Sequence, residues 1–397
     1  MNPADIQERP RAAFFRFDRA AGAVAWYNRT MQAWRPVWKK LPWLALLPLG
    51  LLWPVWLRGA QGFAENVYAE RLYPAIRGVL SLVTSWLPFS VAELLLYALV
   101  VGAAALLTVR AVCVLRGRAH VARLVSALLS VLLLGCALLH WFYLSWGVLY
   151  FRAPLAGRMG LDVRARSAEE LTALCETLLD DANGLRATLV EDSDGAAYMV
   201  SGTQRMLDAM PAAYARATKD VPALGGGVTR AKRVLCSRGL SAMGVAGIFV
   251  GMTAEPNLNT DQPDLLQPAG AAHETAHQGG LASEEEAEFA SYLICCASDD
   301  AFVRYSGTVS ALLSSMRALK AADPDAYARL LSRYGDGLAR DLSAYDAYWS
   351  RYDGGAADEA QTALNDAYLK FNGQESGVES YGECVDLLLA WHAQTKN

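Results

Sequence analysis

Before residue 150 the chain carries three long apolar stretches, and these limit that half to a bundle of membrane-crossing helices. A helix needs about 20 apolar residues to cross a hydrocarbon core, where every backbone N–H and C=O must be satisfied within the segment. The first stretch runs from about Leu41 to Leu57, is broken by Pro42, Pro48 and Pro54, and is bracketed by Lys39, Lys40 and Arg58. The second runs from about Pro88 to Val109 with one acid, Glu93, near its start. The third, from about Leu124 to Trp146, crowds its aromatic residues at the far end, where a membrane meets water. A lone acid near a span's end either reaches the interface or serves inside the membrane, and Glu93 is open to both readings. His140, single in an apolar helix, reads as a packed side chain.

Charge divides the chain in the same place. The part before residue 150 has 15 Lys/Arg against 6 Asp/Glu, whereas the remainder has 21 against 34. The basic residues of the front half cluster before Leu41 and between the second and third stretches, at Arg110, Arg116, Arg118 and Arg123. The first connection holds Arg58, Arg71 and Arg77 diluted by Glu65 and Glu70. By the positive-inside rule the N-terminus is cytoplasmic, and three crossings leave everything after Tyr150 outside. The expected organisation is a membrane domain over 1–150 and an extracytoplasmic domain over 151–397, in a multi-pass protein of the cell membrane. The long basic lead-in and the lack of a small-residue cleavage site after the first stretch argue against a cleavable signal. An acidic outer half excludes nucleic acid as its partner, since phosphate binding needs clustered Lys and Arg. Seven scattered cysteines without a CxxC pair do not form a disulfide framework.

The outer half reads as mainly helical with a small sheet. Ser167-Ala-Glu-Glu170 is a capping box opening a helix toward Asn183-Gly184, and a second helix fits Thr203 to Thr218. Ala246 to Thr253, apolar and glycine-containing, is the best strand. Pro268 starts a helix that runs through His277 and ends at Gly279-Gly280. Ser283-Glu-Glu-Glu286 is a second capping box, with its helix beginning at Glu284. A last helix fits Tyr381 to His392.

Two of the five histidines fall in His273-Glu274-Thr275-Ala276-His277. Residues four apart share a helical face, so both imidazoles can reach one metal ion at about 2.0–2.1 Å. Glu274 beside them can take a proton from a water that the metal acidifies. A catalytic zinc site needs a third protein ligand and an open position. The glycine pair lets the chain reverse after His277 and return the next helix, on which Glu284 and Glu288 share a face. Glu284 is the favoured third ligand, and Glu288 a carboxylate that orients a histidine or serves as a ligand itself. Glu285 and Glu286 point elsewhere, as charges favoured at a helix N-terminus. Thr253 to Asn259, just before the metal helix, is either an extended stretch that adds a peptide strand or a plain connection. Tyr381 can donate its hydroxyl to a developing oxyanion, or simply pack. His392 reads as a surface residue.

His273-Glu-Thr-Ala-His277-Gln-Gly-Gly followed by Glu284-Glu-Glu-Ala-Glu288-Phe-Ala resembles zincin metallopeptidases, in which a glutamate on the following helix is the third ligand. More closely, the chain is similar to a bacterial membrane family, domain of unknown function 3810. Thr253-Ala-Glu255-Pro-Asn257-Leu-Asn259, the HExxH helix with its acidic successor, Trp146-Gly147, Tyr150-Phe151-Arg152, Tyr368-Leu-Lys370 and Ser380-Tyr381 carry that likeness. Ser283 stands where a basic residue is usual and Glu288 where Asn or Asp is usual. The resemblance implies zinc chemistry on an N-terminally anchored, zincin-like α+β domain without naming a substrate. The expectation is an integral-membrane zinc peptidase with Glu274 as general base. The residues leave open a zinc hydrolase of a non-peptide envelope amide, and a non-catalytic membrane sensor or scaffold holding a structural metal.

Overall fold

The computed structural model describes residues 11–374 and 383–395. From Arg11 the described elements are helical: α1 (Arg11–Trp38), a 3₁₀ turn (Leu41–Ala45), α2 (Leu46–Leu51), α3 (Trp53–Arg58) and α4 (Gln61–Phe63). A π-helical stretch (Ala64–Leu72) leads into α5 (Tyr73–Thr84), followed by α6 (Val91–Leu115) and α7 (Ala122–Ser145). Among the described residues, three helical stretches are long and apolar enough to cross a membrane: Ala23–Arg58, Val91–Leu115 and Ala122–Ser145. The second and third lie close to where hydropathy places them. The first starts well before Leu41, because Pro42, Pro48 and Pro54 divide it into short helical turns without ending it.

The chain forms two compact units, each assembled from separate stretches of sequence. One runs to Leu52 and takes in Tyr97–His140. Within it Lys40 Nζ donates to the Ser126 carbonyl at 2.6 Å and to the Ser126 hydroxyl at 2.8 Å, tying the α1 end to α7. His140 Nε2 bonds the Leu46 carbonyl at 2.9 Å, so this histidine joins two apolar segments.

The other unit combines Trp53–Leu96 with Trp141 onward. After a 3₁₀ turn (Gly147–Phe151) come α8 (Leu155–Met159), α9 (Ala168–Arg186) and α10 (Gly202–Asp220). A small sheet follows: β1 (Lys232–Arg233), α11 (Ser237–Ser241), β2 (Gly247–Val250) and β3 (Glu255–Leu258). Then come α12 (Gln267–Gly279), α13 (Glu284–Cys296), α14 (Ala301–Ala322), α15 (Pro324–Leu331), α16 (Asp336–Trp349), α17 (Ala356–Phe371) and α18 (Cys384–Thr395). The Ser167 capping box forms as its spacing predicts. Ser283 does occupy the N-cap of α13, but its hydroxyl makes no cap hydrogen bond. The Glu286 carboxylate that would close that box instead accepts from the Leu155 N–H and meets Arg158 at 3.5 Å. All seven cysteines are free.

Helix α12 lies at the centre of this unit, with every residue buried except Gly270. Ala269, Ala271, Ala272 and Ala276 present so little side chain that α10, α13, α14 and β3 can all approach it. The sheet has the order β1-β3-β2, with β1 parallel and β2 antiparallel to β3. The strand expected over Ala246–Thr253 is β2, four residues long.

Candidate metal centre

The register of α12 brings His273 and His277 onto one face, and Gly280 turns the chain back with a left-handed φ of 110°. That reversal delivers the first turn of α13 to the two imidazoles. His273 Nε2 lies 3.1 Å from His277 Nε2 and 3.2 Å from Glu284 Oε2, and His277 Nε2 lies 3.5 Å from the same oxygen. These three are the metal-ligand cluster found among the described residues, and all are buried. Tetrahedral zinc with bonds of 2.0–2.1 Å needs donors about 3.3 Å apart, so the set matches such an ion in donor type and spacing.

The outer nitrogens of both rings are engaged. His277 Nδ1 bonds the Leu281 carbonyl at 2.7 Å, and His273 Nδ1 bonds Glu288 Oε2 at 3.2 Å. Glu288 in turn accepts from Ser310 Oγ at 2.6 Å. Glu288 therefore stands behind a histidine and outside the three-donor cluster. Burial opposes charge on His273, yet its bonds to Glu284 and Glu288 outweigh that and hold its pKa well above the usual range. Burial likewise raises the Glu284 carboxyl, but His277 and His273 bring it far below the ordinary value.

Glu274 points to the other side, against β2. Burial pushes its carboxyl up to about 7, against the pull of His273 and His277 and a hydrogen bond from the Phe249 N–H. Gly247 makes room for it: a Cβ there would sit 2.7 Å from Glu274 Oε1 and 2.8 Å from its Cγ. A buried carboxyl with a near-neutral pKa beside a metal-ligand set can both take and return a proton.

The end of α12 is fixed from elements near the membrane spans. Trp146 Nε1 donates to the His277 carbonyl at 3.3 Å. Tyr73 Oη and Arg77 Nη1 donate to the Gln278 carbonyl at 2.8 and 3.1 Å. Arg152 Nη1 donates to the Gly280 carbonyl at 3.0 Å while it pairs with Glu65 at 2.7 Å. The Gln278 and Gly280 carbonyls, which the helix end would leave without partners, are satisfied in this way, the His277 carbonyl also accepts from the Gly280 N–H at 3.0 Å, and two of the donors are cations suited to the helix dipole. The Trp146 ring stands edge-on to His277 at 5.9 Å and beside Phe249 at 5.4 Å. Tyr150, packed on Trp146, donates to the Tyr368 hydroxyl at 3.1 Å.

Several expectations change here. Thr253–Asn259 cannot receive an added strand along β3, because β3 is the middle strand, paired on both sides. The sheet edge beside the site belongs to β2. Asn259 N bonds the Ala246 carbonyl, and alternation along the antiparallel pair turns Gly247 and Phe249 toward the outer edge. Glu255 instead accepts from Val91 N and Ala92 N at 3.0 and 2.7 Å and pairs with buried Lys232. Glu93 accepts from Leu235 N and Cys236 N, so it anchors the start of α6 to the segment after β1. Tyr381 lies outside the described residues. Glu285 accepts from Gln374 Nε2 at 2.9 Å.

A family model described as protein of unknown function (DUF3810) matches residues 68–389, most of the chain. The chain belongs to the DUF3810 family. The DUF3810 match contains every residue of the cluster, both later spans and the donors Tyr73, Arg77, Trp146 and Arg152, whereas the first span precedes it. No curated protein and no solved structure matches the chain. Sequence reading missed Gly247, Phe249, Trp146 and the Tyr73–Arg77 pair as parts of the site. Of these, Trp146 had a signal, since it stands in a stretch that resembles DUF3810.

Proposed function

We propose that this DUF3810 member is a membrane-anchored, zinc-dependent hydrolase that cleaves peptide bonds outside the cytoplasm. The observation that carries the reading is the convergence of His273, His277 and Glu284 at tetrahedral spacing with buried Glu274 alongside. His273, His277 and Glu284 hold the ion, and Glu288 and the Leu281 carbonyl orient the imidazoles. Zinc in such a site supplies Lewis acidity that polarises a carbonyl and acidifies water. Glu274 takes the proton from the attacking water and passes it to the leaving nitrogen. Two further features favour a peptide. The outward-turned backbone of Gly247 and the Phe249 carbonyl can pair with an extended chain, and this edge lies directly beside Glu274, which takes the Phe249 N–H. Placement outside rests on the basic residues before the first span and between the second and third.

The test is zinc content and peptide hydrolysis by the full chain in detergent, wild type against Glu274→Gln. The variant should keep its zinc and lose about 10²–10⁴-fold in turnover, the usual worth of a general base. Undiminished activity in Glu274→Gln defeats the mechanism. Zinc held by a wild-type protein that hydrolyses no peptide favours a scaffold with a structural metal.

A further inference from the structure

Helix α5 is amphipathic in the reverse of the usual sense. Its buried face is polar: Tyr73, Arg77, Ser81 and Thr84 recur at helical spacing, with Arg77 and Ser81 each only 7% exposed. Tyr73 and Arg77 hold the Gln278 carbonyl of the metal helix, and the Thr84 carbonyl accepts from buried Lys232 Nζ at 2.6 Å. The outward face is apolar. Val79 is 66% exposed, Val83 70%, and Trp86, just past the helix end, 80%. Leu72 and Leu82 extend the same surface. The one charge on α5, Arg77, is turned inward, so the outward face has nothing ionic for water to solvate. A helix at a protein–water boundary shows the opposite arrangement.

What covers this face follows from its continuity with a span. Glu255 receives the first N–H groups of α6, and the opening turns of α6 expose Leu94, Leu95 and Leu96 within the same compact unit as α5. The apolar surface thus passes from α5 through Trp86 onto a helix long enough to cross a bilayer. At 12 residues, α5 is about 18 Å long and cannot cross a core of about 30 Å. Tryptophan at the junction of the two helices suits the level of the lipid headgroups.

We infer that the outward face of α5 is immersed in lipid: α5 is an interfacial helix that rests on the bilayer without crossing it. Its polar face grips the end of the metal helix while its apolar face meets acyl chains. That end of the metal helix is therefore within about one helix diameter, roughly 10 Å, of lipid. The inference depends on the span reading of α6 and not on the metal chemistry.

The test uses full-length protein in phosphatidylcholine–phosphatidylglycerol nanodiscs, with the exposed cysteines removed as Cys236→Ser and Cys296→Ser. A nitroxide is placed at Val83→Cys or Val79→Cys, at Leu95→Cys as a lipid reference, and at Gln204→Cys on the exposed side of α10 as a water reference. Collision with dissolved oxygen is compared with collision with a water-soluble nickel chelate. Labels at both α5 positions should favour oxygen as the Leu95 label does, whereas the Gln204 label favours nickel. Nickel-dominated relaxation at 79 and 83 would overturn the inference by placing this face in water. Protection from both reagents would overturn it too, by showing that a second copy or another protein covers the face.

Discussion

Replacing Glu288 by glutamine probes the centre at the point where structure and chemistry make a graded demand. The Glu288 carboxylate holds His273 Nδ1 at 3.2 Å and is itself held by Ser310 Oγ at 2.6 Å. Glutamine keeps the shape and one oxygen acceptor but removes the negative charge that makes the imidazole a better donor to a metal. Losing an outer partner of this kind weakens metal affinity about 10–100-fold, or about 1.4–2.8 kcal/mol. Glu284→Gln removes a ligand whose oxygen lies 3.2 and 3.5 Å from the two Nε2 atoms, and should weaken zinc by more. The assay is competition for zinc against a chromophoric chelator, using full-length protein in detergent. Thermal unfolding of the metal-free variants run alongside identifies any loss of fold. An order of effects in which Glu288→Gln costs as much as Glu284→Gln reverses the ligand assignment. Zinc affinity unchanged in both variants shows that the cluster is not a metal site.

Three further outcomes follow from other parts of the molecule. Gly247→Ala puts a methyl 2.7 Å from Glu274 Oε1, so turnover should fall with zinc content intact, and a wild-type rate would show that β2 does not hold the base. Asp341→Asn removes the charge on which Arg186 Nε (2.6 Å), Tyr305 Oη (2.7 Å) and the Ala197 N–H (2.8 Å) converge. Arg186 keeps its contact with Glu191 at 2.9 Å, so the cost is that of under-satisfied buried bonds, about 1–3 kcal/mol, and a denaturation midpoint equal to wild type refutes this. Burial raises the Glu65 carboxyl, but Arg152 outweighs it and holds the pKa below its ordinary 4.5. The stabilisation this gives is complete above pH 4.5 and disappears as pH falls through the lower folded value. Thermal stability of Glu65→Gln in detergent should therefore vary less than wild type over that acid range, and identical acid limbs would sink the prediction.

What was legible in the sequence was local. His273 and His277 one turn apart, the glycine pair after them and a helix opening at Glu284 each depend on neighbours within a dozen residues. The three side chains accordingly come together where the spacing puts them. The spans were legible for the same reason, since hydropathy needs no partner. The misread features all depend on distant chain. Ser283 reads as half of a capping box, but Glu286 finds stronger partners at Leu155 and Arg158, far back along the sequence. Thr253–Asn259 reads equally as a stretch that adds a peptide strand and as a plain connection. Which strand lies at the edge is set by pairing with Lys232–Arg233, and nothing in the local pattern discloses it. Tyr73 and Arg77 read as part of a charged connection between spans, because their acceptor, the Gln278 carbonyl, lies about two hundred residues later.

These distant contacts give α5 and the segment after α7 a part in holding the end of α12. A buried backbone carbonyl deprived of its donor costs about 1–3 kcal/mol, so the donors to the Gln278 carbonyl stabilise the end of α12. The donors at this helix end are Tyr73 and Arg77 from α5, Trp146 directly after α7 and Arg152 just beyond it. None belongs to the helices that supply the metal cluster. His277 is a residue of that same helix end: its carbonyl takes the Trp146 bond, and its ring is fixed by Leu281 across the Gly280 turn. The place of the His277 imidazole therefore depends on where α5 and the α7 end hold this end of the helix.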